Sequence, residues 1–220
     1  MTPSGRDIAW RPSPNFGDRR DGLTPSLIVL HHTAMRSAED AITRLCDPET
    51  EVSAHFLICQ SGAITQMVAE DKRAWHAGAG EWRGEADINS RSIGIELDNA
   101  GDHPFAEPQM AALEALLRRL MQDWSIRPEG IIGHSDMAPG RKSDPGPHFD
   151  WARLARQGLA AGHVPTPSVP DVNEESFRRA ARGAGFTADV PFDVLLAAVR
   201  LRFGPWRTGP LSAADYAFPA

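Results

Sequence analysis

Residues 133–151, G-H-S-D-M-A-P-G-R-K-S-D-P-G-P-H-F-D-W, set His134, Asp136, Lys142, Asp144 and His148 among six glycines and prolines. Each proline fixes a backbone angle and removes a donor. The stretch is therefore stiffer than a soluble loop needs to be, and such stiffness positions side chains. Histidine and carboxylate are ligand types of a catalytic zinc site, which commonly takes three protein ligands and leaves a fourth position for water. His134 and Asp144 lie on either side of the stiff loop, where little ordering cost remains to be met on metal binding. Further candidates end the apolar, β-branched run S-L-I-V-L-H-H-T, residues 26–33. Successive strand side chains point to opposite faces, so only one of His31 and His32 can enter a given site, and alternation leaves both open.

Taken singly, a strand-end histidine is more often a hydrogen-bonded core residue, and an aspartate in a Pro/Gly loop more often forms a turn. Glu96 sharpens the pattern. It sits in R-S-I-G-I-E-L, where Ile93, Ile95 and Leu97 take one face and Gly94 and Glu96 the other. An acid inside an apolar strand is costly to bury without a partner or a function. Gly94 leaves space above the sheet, and a general base beside an activated water fits there.

The elements that must hold these residues are legible as periodicities. Residues 26–33 read as a buried central strand. Ser37 and Asp40 form a capping-box variant before Ile42 and Leu45, which predicts a short helix. V-S-A-H-F-L-I-C and A-I-T-Q-M-V flank Q-S-G and predict a hairpin with its glycine in the turn. From 109 to 124, Met110, Leu113, Leu116, Leu117, Leu120, Met121 and Trp124 follow helical spacing and predict a core-covering amphipathic helix. Residues 1–25 read as an irregular arm. Residues 162–171 carry three prolines within six positions and read as a semi-rigid linker. Beyond it, Phe177, Ala180, Ala181 and Ala184 make one helical stripe and Val194, Leu195, Ala198 and Val199 another. The expected organisation is a domain over 1–161, a linker over 162–171 and a small helical module over 172–220. The expected fold class is α/β, a mixed central sheet flanked by helices.

Composition narrows the function. The net charge of −6 offers no basic footprint for nucleic acid. No window reaches membrane-spanning length. The N-terminal residues show no apolar signal region, and two cysteines, Cys46 and Cys59, are too few for a disulfide framework. The expected compartment is the cytoplasm.

V-L-H-H-T-A, R-S-I-G-I-E-L and G-H-S-D-M-A-P-G-R-K-S-D-P-G-P together resemble the zinc-dependent N-acetylmuramoyl-L-alanine amidases of the type-2 amidase family, related to peptidoglycan recognition domains. The resemblance extends over roughly residues 8 to 158. It implies Zn2+ held by His31, His134 and Asp144, with Glu96 as catalytic base and Lys142 stabilising the oxyanion. It also implies a peptidoglycan or muropeptide substrate, cut between N-acetylmuramic acid and L-alanine. His55, Trp75 and His76 lie in segments that border the family's substrate cleft. His148 stands where relatives in the muropeptide-recycling branch often have Cys, either as a neutral swap or as an extra polar wall to the substrate site. Asp87 stands where relatives often have a basic residue, with Arg73, Arg83 or Arg91 as candidates to compensate. The helical module resembles a peptidoglycan-binding appendage, with a structural brace as the competing reading. Two rival functions remain: a recognition module that does not hydrolyse, which typically lacks part of the zinc set, and a zinc peptidase acting within the stem peptide, for which no H-E-x-x-H is present.

Overall fold

The computed structural model describes residues 8–162 and 171–218. Most of the Pro-rich linker and the first residues of the arm lie outside the described residues. Eight strands occur among those described. They are β1 (Ala9–Trp10), β2 (Phe16–Asp18), β3 (Leu27–His32), β4 (Phe56–Ile58), β5 (Ile64–Gln66), β6 (Lys72–Ala74), β7 (Ser92–Leu97) and β8 (Ile131–Gly133). Six of them form one sheet in the order β1-β5-β4-β7-β3-β8, and β2 pairs antiparallel with β6. Strands β4, β7, β3 and β8 run parallel, while β5 runs antiparallel to β4, so the sheet is mixed as expected. The hairpin is β4–β5, with Gly62 at φ +83° in its turn. The arm is less irregular than its composition suggests, since it supplies β1 and β2. Strands of two or three residues are too short to show an alternation.

One face of the sheet presents Ile28, Leu30, Phe56, Ile58, Ile93, Ile95 and Leu97. Against it lie α3 (Glu107–Trp124), through Met110, Leu113, Leu116, Leu117 and Leu120, and α5 (Trp151–Arg156), through Trp151 and Leu154. Pro108 occupies the first turn of α3, where its missing N–H costs nothing.

The opposite face is covered in two pieces. Helix α1 (Ala38–Leu45), capped by the Ser37 side chain accepting from Asp40 N–H at 3.1 Å, packs Ala41, Ile42 and Leu45 over Leu57 and Met67. The C-terminal helices α6 (Glu174–Ala184) and α7 (Phe192–Phe203) cover the other end. Phe177, Ala181, Leu195, Val199 and Phe203 share one apolar cluster with Leu27, Val29, Ile132 and Met137. The helical segment therefore packs as a second layer on the sheet. Its third helix is a single 3-10 turn, Ala213–Tyr216, capped through Ser212 and Asp215. Two short helices remain, α2 (Ile88–Arg91) leading into the amino end of β7 and α4 (His134–Met137) following the carboxyl end of β8.

His55 is fully buried beneath this second face. Its Nδ1 accepts from Gly94 N–H at 2.9 Å, and its Nε2 lies 3.0 Å from the Lys72 carbonyl. Burial first, opposed by the Lys72 carbonyl and assisted by the Arg19 guanidinium, pushes its pKa down to about 3 from 6.5. The unfolded chain thus takes up a proton at this histidine as pH falls below 6.5, and the folded chain does not until about pH 3. Stability is lost across that interval. The expected outcome is that urea unfolding free energies, measured at pH 7, 6 and 5, decline less steeply in His55→Gln than in the unsubstituted protein.

Candidate active site and metal centre

Parallel strands place the chemistry at their carboxyl ends, as open α/β sheets generally do. His31 is in the last pair of residues of β3, Glu96 is opposite it in register on β7, and His134 follows β8 directly. Strand alternation puts His31, Gly94 and Glu96 on the face covered in two pieces, and the gap between those pieces is a cleft of about 390 Å³. His31, His134, Asp144, Glu96, Lys142, Trp75 and His76 all line it.

His31 Nδ1 lies 2.9 Å from His134 Nδ1 and 2.9 Å from Asp144 Oδ2, and His134 Nδ1 is 3.1 Å from the same carboxylate oxygen. The protons of these rings can be traced outward. The Ser92 hydroxyl donates to the Ile88 carbonyl at 2.6 Å, so its oxygen is left to accept from His76 Nε2, 3.2 Å away. His76, held neutral by burial and by the neighbouring imidazoles, then has a bare Nδ1. That atom accepts from His31 Nε2 at 3.0 Å. Burial foremost pushes the His31 pKa down to about 4, so His31 is neutral and its inward Nδ1 carries a lone pair. His134 Nε2 donates to the Ala77 carbonyl at 3.0 Å, which turns its Nδ1 inward as the acceptor.

Three acceptor atoms thus face one another with no hydrogen between them, an arrangement that repels unless a cation sits among them. Their separations approach the edge of a tetrahedron built on zinc–nitrogen bonds, about 3.3 Å for bonds of about 2.0–2.1 Å. Two imidazoles and one carboxylate also match the mixed N/O donor set that suits zinc. The residues present fit the metal.

His32 is turned to the other side of β3. Its ring donates through Nδ1 to the Pro145 carbonyl at 3.1 Å and steadies the loop carrying Asp144. The same loop is pinned by Ser135 N–H to the Asp144 carbonyl, by Asp136 Oδ2 accepting from Gly133 N–H at 2.8 Å, and by Arg141, which donates to the Ala77 and Ala79 carbonyls. Asp136 organises backbone, as its place in the loop suggested.

Glu96 is half-buried at the cleft floor, and its Oε2 has no hydrogen-bond partner among the described residues. Burial, and then the negative charge of Asp144, raises its pKa to about 8, while the Lys142 ammonium acts in the opposite direction. The group is poised near neutrality, where a general base works best. The space above Gly94 that the sequence suggested is filled by the His76 ring, and a Cβ there would lie 2.5 Å from it.

Two of the candidate substrate contacts fall elsewhere. His55 belongs to the core, with both ring nitrogens engaged, because its strand position faces inward beneath His76. His148 is exposed and is not among the lining residues, since Pro147 and the chain after it lead away from the cleft toward α5. Arg73 is held by Asp87 at 3.0 Å and Arg91 by Glu85 at 2.7 Å. Neither these two nor Arg83 lines the cleft, whose cations are Arg44, Arg141 and Lys142. Ser92 and Arg141 were missed by sequence reasoning. Arg141 had a weak signal in its adjacency to Lys142, and Ser92 had none.

Fold and site together define a hydrolase of the amidase type. The chain belongs to the N-acetylmuramoyl-L-alanine amidase family, whose model matches residues 21–147. It is 40% identical over 160 residues to the 1,6-anhydro-N-acetylmuramyl-L-alanine amidase AmpD of Escherichia coli, covering 65% of this chain and 87% of that protein. It is similar to the solved structure of the amidase AmiD from E. coli in complex with the substrate anhydro-N-acetylmuramic acid-L-Ala-D-gamma-Glu-L-Lys. The TM-score there is 0.78 at 30% identity, over 90% of this chain and 89% of that one. AMPDH3 from Pseudomonas aeruginosa, solved with anhydromuramic pentapeptide, matches with a TM-score of 0.75 at 28% identity over the whole of both chains.

If His76 holds the His31 ring, crowding it should disturb the candidate metal centre. Gly94→Ala is expected to retain the fold but to lower metal content after dialysis, measured by elemental analysis. Undiminished content would show that the His76 ring is not what orients His31.

Proposed function

We propose that this chain is a zinc amidase that hydrolyses the bond between N-acetylmuramic acid and the L-alanine of the stem peptide, with soluble anhydro-muramyl peptides as its substrate class. The observation that carries the reading is the inward-facing trio of His31 Nδ1, His134 Nδ1 and Asp144 Oδ2, whose ring protons are all committed outward. Zinc held by these three supplies a Lewis acid that acidifies water and polarises the scissile carbonyl.

The chain's own groups do the rest. The Glu96 carboxylate, which lines the cleft, accepts the proton of the attacking water and returns it to the leaving nitrogen as the C–N bond breaks. The products are a lactyl carboxylate and a free L-alanyl amine. Lys142, exposed at the rim, brings its ammonium to the oxygen on which negative charge develops. Trp75 and His76 form a wall of the cleft, and the Trp75 backbone N–H donates to Ser53 Oγ at 2.9 Å. No side-chain nucleophile is required.

Cys46 and Cys59 are both free thiols, which suits a reducing compartment. No helix among the described residues is long and apolar enough to cross a membrane. On the thiols we place the enzyme in the cytoplasm.

Mass spectrometry of products from an anhydro-muramyl tripeptide tests the reaction. The expected fragments are the anhydro-muramic acid and the intact peptide with a free L-alanine amine. Cleavage inside the peptide would indicate a peptidase, and binding without products a recognition module. His31→Ala is expected to lose most bound zinc and activity, whereas His32→Ala keeps its zinc. Glu96→Gln is expected to keep zinc and fold while turnover falls about 10²–10⁴-fold. Normal turnover in that variant would remove Glu96 from the mechanism.

A further inference from the structure

Arg202, in the last turn of helix α7, sends its side chain out of the helical layer and into the catalytic domain, where it is only 5% exposed. Its guanidinium makes three directed contacts there. Nη1 lies 3.1 Å from Asp136 Oδ2, and Nη2 donates to the Ile131 carbonyl at 3.0 Å and, at a longer 3.5 Å, to the Ala161 carbonyl. The group sits 3.4 Å above the Trp151 ring, which fixes its plane. Asp136 Oδ2 also accepts the Gly133 N–H. The Asp136 Oδ1 atom has no partner among the described residues, so Arg202 and that one N–H set the carboxylate's orientation.

The contacts bracket His134. Ile131 opens β8, Gly133 closes it, and Asp136 lies one position beyond Ser135 in the short helix that His134 begins. A buried ion pair is a poor way to gain stability, because desolvating both charges offsets most of their attraction and an apolar pair of similar volume often serves as well. What the pair does supply is direction. The forked donor joins the strand before His134 to the turn after it, and so limits how far the Nδ1 atom can drift from His31 and Asp144.

We infer that Arg202 is a positioning residue for His134, and that through it the C-terminal helical segment sets the metal affinity of the catalytic domain. The inference rests on the zinc reading of His31, His134 and Asp144. Were that reading wrong, the unsubstituted protein itself would fail to bind zinc, which is seen before any variant is compared.

The test uses the full chain and zinc alone, in competition with a chromophoric chelator, with melting of the metal-free protein and steady-state kinetics recorded in parallel. Arg202→Met is expected to weaken zinc binding by about 10–100-fold, the usual cost of removing an outer support of a metal ligand. At saturating zinc, kcat should fall while KM holds. Arg202→Lys, which keeps the charge but loses the fork, should fall between the two. Phe177→Leu, which disturbs the packing of α6 against Phe192, Tyr216 and Phe218, should lower the melting temperature with zinc affinity within about twofold of the unsubstituted protein. Unchanged zinc affinity in Arg202→Met, or an equal loss in Phe177→Leu, overturns the inference. If Arg202→Met does not fold, Arg202→Lys decides: weakened zinc binding supports the role, and unsubstituted affinity ends it.

Discussion

The structure turns on one electrostatic constraint. Three lone-pair-bearing atoms, from His31, His134 and Asp144, are held within about hydrogen-bond distance of one another while every proton that could relieve them is engaged elsewhere. A cation resolves that repulsion, and a rigid surround is what keeps the three atoms from separating without one. The Ile88–Ser92–His76 chain behind His31 and the Ala77 carbonyl behind His134 do this by fixing which ring nitrogen carries hydrogen. The stiff loop does it for Asp144, with His32 and Arg141 anchored to its backbone and to the chain opposite.

The cleft follows from how the sheet is covered. One face is sealed by α3 and α5 over continuous aliphatic residues. The other is sealed at β4 by α1 and at β3 and β8 by the C-terminal helices, and the site occupies the interval between them. The helical segment is thus part of the second layer, sharing its apolar cluster with Val29, Ile132 and Met137. The likeness to AMPDH3 extends over the whole chain and therefore through this layer, whereas the AmpD match covers 65% of it. A carboxylate placed on this half-covered face, as Glu96 is, keeps one edge toward the cleft while burial holds its proton affinity high.

Much of this was legible in the sequence because local rules suffice for it. The 109–124 helix, the β4–β5 hairpin, the Ser37 cap and the alternation of R-S-I-G-I-E-L each follow from side-chain periodicity or turn chemistry within one segment. The residues that converge, His31, His134 and Asp144, were legible as candidates as well, through residue types in a stiff loop and the family resemblance that chose His31 over His32. The arm's short strands were not legible, because two or three paired residues leave no period to read.

Contacts between distant segments carry no local signature. Sequence alone could offer His55 and His76 as similar candidates, but only the folded chain puts one in the core against Gly94 N–H and the other behind His31. It likewise left Arg73, Arg83 and Arg91 as compensating cations, although ion pairing and position keep them from the cleft. Nor could it pair Arg202 with Asp136, 66 residues apart. The sequence by itself determined which atoms could bind a metal and accept a proton, since those are properties of side-chain types in their local setting. Which of those atoms point inward bare, and what braces them, was decided by tertiary structure, because a ring's tautomer and a carboxylate's orientation are set by neighbours that meet only when the sheet and its two covers close.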